Sequence, residues 1–202
     1  MDFNYLAKLI ESKHCVHTII LYGSFAKGNN DEFSDIDIVA FWDEDEELQD
    51  KSNLGSNQLD LWIYPSTKMA DYKEFIRVNG GMVLLDLTNV AEVFMNNIKH
   101  AYQTGPTAKT LEEKKNILKW VRKMYSRSLK EDLEGAYRKS LLLAELLPIY
   151  FELKDIWYLG SKYGFEFLKD NDESAYSLYS SLYSANDPDT LEDVIKYLDT
   201  LV

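Results

Sequence analysis

The chain has 202 residues, 46% hydrophobic and 13% aromatic, which excludes a disordered chain and allows one large domain or two small ones. Its formal net charge is −12, with 8 basic against 17 acidic side chains up to Thr104 and 14 against 17 beyond it, a balance that argues against nucleic acid as a partner and suits a cationic ligand. No run of ~18 apolar residues and no basic-then-apolar N-terminus occurs, so neither a membrane span nor a secretory signal is expected, and the expected location is cytoplasmic.

Residues 3–12 predict a short helix with Phe3, Leu6, Leu9 and Ile10 on one side. Cys15 is the single cysteine; it forms no internal disulfide, fits a reducing compartment and is expected to be a small buried thiol. The apolar run from Val16 to Tyr22 predicts the first strand. His14, His17 and His100 lack companions at zinc-ligand spacing and are expected to be structural or exposed.

Gly23-Ser24 follows that strand directly. A glycine here lets backbone approach a ligand closely. If Ser24 opens a short helix, its free N–H groups and dipole favour an anion, and the hydroxyl adds one more donor. This is a phosphate cradle, but no Gly-Lys-Ser/Thr follows, so it is not a Walker loop. Asp35-Ile36-Asp37 then opens an apolar run that ends at Trp42. Asp35 and Asp37 share one strand face, Ile36 and Ile38 the other. Two carboxylates roughly 7 Å apart repel each other, and the usual reason to tolerate them is a divalent cation. Carboxylate oxygen is the preferred ligand of Mg²⁺, which works with substrate phosphates.

Asp43-Glu44-Asp45-Glu46-Glu47 is either a solvated turn or a rim that attracts a cationic substrate. Residues 51–57 read as a polar loop containing Gly55. Residues 58–64 alternate, with Leu59, Leu61 and Ile63 facing one way and Asp60, Trp62 and Tyr64 the other. Asp60 is therefore the natural partner of Asp35 and Asp37. A helix over 66–78 is stopped by Asn79-Gly80-Gly81, and residues 82–86 form a short fourth strand. Asp86 is a cap or sheet-end residue, or an acid near an acceptor. Asn89 and Glu92 suggest a capping arrangement for a helix to about Gln103.

Thr104-Gly105-Pro106 is the candidate boundary, beyond which the period of two vanishes. Thr110 and Glu113 predict a capping box for a helix to about Leu129, with Leu111, Leu118, Val121 and Tyr125 as its stripe. Residues 131–153 predict a second long helix that Pro148 kinks or splits. Glu145 among its leucines is an exposed or paired glutamate, or a base with a raised pKa. Residues 155–168 are interrupted by Gly160 and Gly164. Tyr176, Tyr179 and Tyr183 read as a core stripe. Asp187-Pro188 places an N-cap before proline and opens the last helix.

Gly23-Ser24 after one strand and Ser34-Asp35-Ile36-Asp37-Ile38 opening the next resemble the signature of nucleotidyltransferases of the DNA polymerase β superfamily. The resemblance implies that Gly23 and Ser24 hold nucleotide phosphates and that Asp35, Asp37 and Asp60 are the catalytic acids, holding two Mg²⁺ ions. Lys27 stands where many relatives carry arginine, keeping the charge and losing the planar fork. The implied fold is α+β: a small mixed β-sheet core with flanking helices over residues 1–105, then an all-helical bundle over 106–202, with the active site between them. The branch most resembled is the two-domain one that modifies aminoglycoside or lincosamide antibiotics, and Trp157 to Lys162 loosely resembles a segment of it. There a helical domain helps close over the nucleotide, so Lys119, Arg122 or Lys123 would reach the triphosphate. The implied substrates are ATP or another nucleoside triphosphate and a small hydroxyl-bearing acceptor, a cationic one suiting the charge; a homodimer is compatible. Small relatives act as antitoxins that bind or AMPylate a partner protein, which is the alternative. A nucleotide sensor without activity is a third reading, and the intact Asp35, Asp37 and Asp60 count against it.

Overall fold

The computed structural model describes residues 2–185 and 188–202. The chain divides into two compact units, Met1–Thr104 and Gly105–Val202. The first begins with a cap: the Asp2 carboxylate accepts from the amides of Asn4 and Tyr5 at 3.0 and 3.1 Å, starting helix α1, Phe3–His14. Leu6, Ala7 and Ile10 are its buried stripe. The helix ends on Cys15 in left-handed backbone, φ 55, whose N–H donates to the Glu11 carbonyl. Cys15 is exposed, contrary to expectation, because it serves as the helix cap; burial begins one residue later, at Val16.

The strands are β1 Thr18–Leu21, β2 Ile36–Trp42, β3 Leu48–Asp50, β4 Asn53–Leu54, β5 Asn57–Pro65 and β6 Met82–Asp86. They form one mixed sheet in the order β3-β5-β2-β1-β6, with β4 also on β5. Only the β2–β5 pair is parallel; the others are antiparallel. The loop expected over 51–57 is instead part of a hairpin onto β5. It escapes the period-two pattern because an edge strand carrying Gln49 and Asn53 has little apolar face to show. Short helix α2, Gly23–Lys27, joins β1 to the loop before β2.

Alternation along β2 and β5 sends side chains to two cores. Ile36, Ile38, Leu59, Leu61 and Ile63 pack with Leu6 and Ile10 of α1 on one face. Val39 and Phe41 pack with Phe75 and Val78 of a 3-10 helix, Ser66–Val78, and with Phe94 and Ile98 of helix α3, Ala91–Thr104, on the other. The expected Asn89 cap is replaced: Asn89 is left-handed, φ 59, and the Asp86 carboxylate takes the amides of Val90 and Ala91 at 3.2 and 3.0 Å. Asp86 is thus a sheet-end residue that caps α3.

The second unit is helical: α4 Leu111–Ser128, α5 Leu133–Leu153, α6 Ser161–Asn171, α7 Glu173–Ala185 and α8 Pro188–Asp199. The Thr110–Glu113 capping box is present. Pro148 does not split α5, which runs through it while Leu146, Leu147, Ile149, Tyr150 and Phe151 are all buried around it. Core packing on both sides of the proline holds the helix together despite the lost N–H. Of the tyrosine stripe, Tyr179 is buried in the core and Tyr176 packs against it, while Tyr183 is exposed; the Tyr179 hydroxyl donates to the Leu146 carbonyl at 2.8 Å and that of Tyr183 to Leu143 at 2.7 Å. The expected Asp187 cap lies outside the described residues. Among the described residues no helix is long and apolar enough to cross a membrane.

Candidate active site

The turn from β1 into α2 brings backbone against a carboxylate. Tyr22 donates its N–H to the Asp37 carbonyl at 3.0 Å, and the chain then enters α2 through Gly23 at φ +68. A Cβ at Gly23 would overlap Asp37 Oδ2 and lie 2.9 Å from Asp37 Cγ. Glycine is required here twice over, by its left-handed backbone and by the approach of Asp37. Ser24 is half-buried in the first turn and Lys27 is exposed in the last. The Gly28 N–H closes the helix on the Ser24 carbonyl.

The loop before β2 is a hydrogen-bonded turn rather than a slack connection. The Asp31 carboxylate accepts from the Phe33 amide at 3.0 Å and the Ser34 hydroxyl at 2.9 Å. Asn57 Nδ2 donates to the Ser34 carbonyl at 3.2 Å, tying this loop to the start of β5. Ser34 thereby fixes where the chain enters Asp35 and β2.

In the parallel β2–β5 pair Asp37 is in register with Asp60, so both project from one face as neighbours. Asp35 lies two residues before Asp37 and is exposed; Asp37 and Asp60 are half-buried. Burial pushes the Asp37 carboxyl up to about 6, aided by the charges of Asp60 and Asp35 and opposed by Arg77. The same environment pushes the buried Tyr22 hydroxyl up to about 12, by burial first, with Arg77 opposing and Asp37 and Asp60 contributing. Of the three expected acids, Asp37 and Asp60 stand side by side in register, Asp37 against Gly23, and exposed Asp35 lies just before the strand.

Two further residues belong to this neighbourhood. Gln49 Nε2 donates to Asp60 Oδ1 at 2.8 Å from β3. Arg77, at the end of the 3-10 helix, sets its guanidinium carbon 5.7 Å from the centre of the Tyr22 ring and bonds the Tyr64 hydroxyl. Gln49 carries no signal, since its strand is not legible. Arg77 carries one: it is the sole arginine before Gly105.

The donor set fits a hard divalent cation. It offers carboxylate oxygens only, on adjacent strands, with a repulsion that a cation would relieve. Among the described residues no three His, Cys, Asp or Glu side chains are grouped so as to hold a metal ion.

Other marked residues fall elsewhere. His17 is buried and bonded to the Thr18 and Ser66 hydroxyls, and His14 is half-buried against Asp50 at 3.0 Å. Glu145 is exposed beside Trp120 and Ile149. Arg122 is paired with Asp199 at 2.7 Å, and Lys119 and Lys123 are exposed on α4.

Residues 4–100 match the family model described as Polymerase beta, Nucleotidyltransferase. The chain is also similar to the crystal structure of a nucleotidyltransferase-like protein from Exiguobacterium sibiricum 255-15. The identity is 12% and the TM-score 0.47, covering 98% of this chain and 73% of that one. No curated protein matches the sequence.

Proposed function

We propose that the chain is a nucleotidyltransferase built on the polymerase β-type domain that residues 4–100 match, and that it moves AMP from ATP to a hydroxyl of a small molecule and releases pyrophosphate. The observation that carries the site assignment is the register of Asp37 with Asp60, with Asp37 packed against the Cα of Gly23.

In this reading Asp35, Asp37 and Asp60 hold two Mg²⁺ ions, which when bound would neutralise charge at the α-phosphorus and orient the triphosphate. Gly23 admits the β- and γ-phosphates to the backbone, and Ser24 and Lys27 add a hydroxyl donor and a charge. The acceptor oxygen attacks the α-phosphorus, the bond to the β-phosphate oxygen breaks, and pyrophosphate leaves. The hydroxyl proton passes to Asp60, whose other oxygen is held by Gln49. Arg77 stands beside the acids and moderates their repulsion.

The acceptor is read as an aminoglycoside or lincosamide, because the branch resembled modifies these and the acidic N-terminal unit suits a cationic acceptor. The test incubates the protein with Mg²⁺, each of the four nucleoside triphosphates and a panel of both antibiotic classes. Pyrophosphate and a mass-shifted antibiotic are expected with ATP. Folded protein that releases no pyrophosphate with any acceptor would turn the assignment toward the protein-partner alternative.

A further inference from the structure

The N-terminal unit has a second polar cluster at the other end of its sheet. β1 pairs Leu21 with Ile38 near the acids and Thr18 with Phe41 at the far end. At ~3.3 Å per residue, Asp37 and Asp43 lie about 20 Å apart along the chain. Asp43, where the acidic run begins, is therefore remote from Asp37, while the run's last member, Glu47, turns back beside β5 toward Tyr64. Beside Asp43 a cavity of about 500 Å³ opens, a size typical of small-ligand clefts. Its lining mixes polar residues, Asp43, His17 and Ser66 with Thr88, Asn89 and Asn97, and apolar ones, among them Met69, Val93 and Phe94.

The polar side is built, and its donors do not balance. His17 is 8% exposed, with Nδ1 2.8 Å from the Thr18 hydroxyl and Nε2 2.6 Å from the Ser66 hydroxyl. Ser66 Oγ also faces two acceptors, the Trp42 carbonyl at 2.6 Å and Asp43 Oδ1 at 3.1 Å. One hydroxyl carries one proton, so in any His17 tautomer it satisfies at most one of them. The shorter contact goes to the carbonyl. The Asp43 carboxylate is 89% exposed and keeps its charge in the open part of the cavity's lining. Val93, in the same lining, is 63% exposed.

We propose that this cavity is a second small-molecule site, for an amphipathic amine. Its ammonium group lies on the Asp43 carboxylate, and its apolar body lies along Met69, Val93 and Phe94. The four acids after Asp43 are all exposed and raise the local concentration of cations. An ammonium group held on Asp43 lies about 20 Å along the strand from Asp37, so the proposal does not rest on the transfer reaction.

The test titrates 4-phenylbutylamine and 4-phenylbutan-1-ol into the full chain without nucleotide or metal, read by calorimetry and by ligand-observed NMR. The amine should bind about fivefold tighter than the alcohol, the scale of an exposed ion pair. Asp43→Asn should erase that preference, and Val93→Trp should weaken both probes by filling the cavity. Asp37→Asn should leave both affinities unchanged, which separates this site from the transfer reading. The proposal is overturned if neither probe binds at about 10 mM, the weak limit for fragments of this size. It is equally overturned if the alcohol binds as tightly as the amine, or if ATP with Mg²⁺ displaces the amine.

Discussion

Asp37 in the N-terminal unit and Asp172 in the helical unit are both half-buried aspartates, kept in opposite company. Asp172 accepts from the hydroxyls of Tyr150 and Tyr197, each at 2.7 Å, and from the Ala175 amide at 3.1 Å. Burial pushes its carboxyl up, but those donors and nearby Lys154 outweigh burial and hold it below the usual range. Asp37 has burial without such donors and two like charges beside it, and it rises to about 6. A carboxylate that serves the fold has its lone pairs met from within. The one in the candidate site is left in want of a cation, and that unmet demand is what ligand binding can use.

The largest effect that would sharpen this contrast is the split expected of Asp37→Asn. Turnover should fall about a thousandfold, some 4 kcal/mol of transition-state stabilisation. The metal-free protein should at the same time become about 1 kcal/mol more stable at pH 7, because a neutral amide no longer repels Asp35 and Asp60. Pyrophosphate release and urea unfolding read the two halves; a variant that loses stability as well would break the contrast. Next comes Gly23→Ala. Its Cβ would collide with Asp37 and sit in strained backbone, so turnover should fall about a hundredfold and stability by about 1–2 kcal/mol. Turnover near the parent value would show that Asp37 is not held where the phosphate turn needs it.

What could be read from the chain follows the same division. Gly23, Ser24, Asp35 and Asp37 lie within one stretch, and alternation alone put Asp60 on their face; these are local facts. Whereas the mixed sheet with flanking helices is implied by the family resemblance, the strands β1, β2 and β5, the capping box at Thr110 and the buried place of Tyr179 are likewise legible from spacing. Gln49 and Arg77 are not, because each reaches the acids through tertiary packing, Gln49 from an edge strand without an apolar face and Arg77 from the end of a 3-10 helix. The same reason hides Asp172, whose tyrosine partners are 22 and 25 residues away, whereas Asp86, which caps residues four and five positions on, is legible as a cap or sheet-end residue. The acidic run after Trp42 was visible as charge, but only the pairing of the strands shows that it starts at the far end of β2 and returns along β5.

A smaller effect tests the structural partner of the pair. Asp172→Ala leaves the Tyr150 and Tyr197 hydroxyls without their acceptor in a largely buried setting. Stability should drop by about 2–3 kcal/mol, read by denaturant unfolding. Turnover per folded molecule should stay within about twofold of the parent. A large loss of turnover in protein that is still folded would mean that Asp172 is not merely structural.

The smallest effect is also the one in which the two aspartates should move in opposite directions with pH. Asp37 has a folded value near 6, above its reference of 3.8, so its favourable contribution is complete below about pH 4 and is lost as pH rises through about 6. Asp172 is held below its reference; its contribution is complete above about pH 4 and is lost as pH falls further. In metal-free unfolding from pH 3 to 7.5, the advantage of Asp37→Asn over the parent should grow between about pH 4 and 6 and then level off. The deficit of Asp172→Ala should instead stay flat above pH 4 and shrink below it. Adding Mg²⁺ at pH 7 should stabilise the parent and not Asp37→Asn, since only the parent keeps the charge that a cation can relieve. If the Asp37→Asn curve ran parallel to the parent across the whole range, Asp37 would be titrating as an ordinary solvated carboxylate, and the repulsion that marks it as a site residue would be absent.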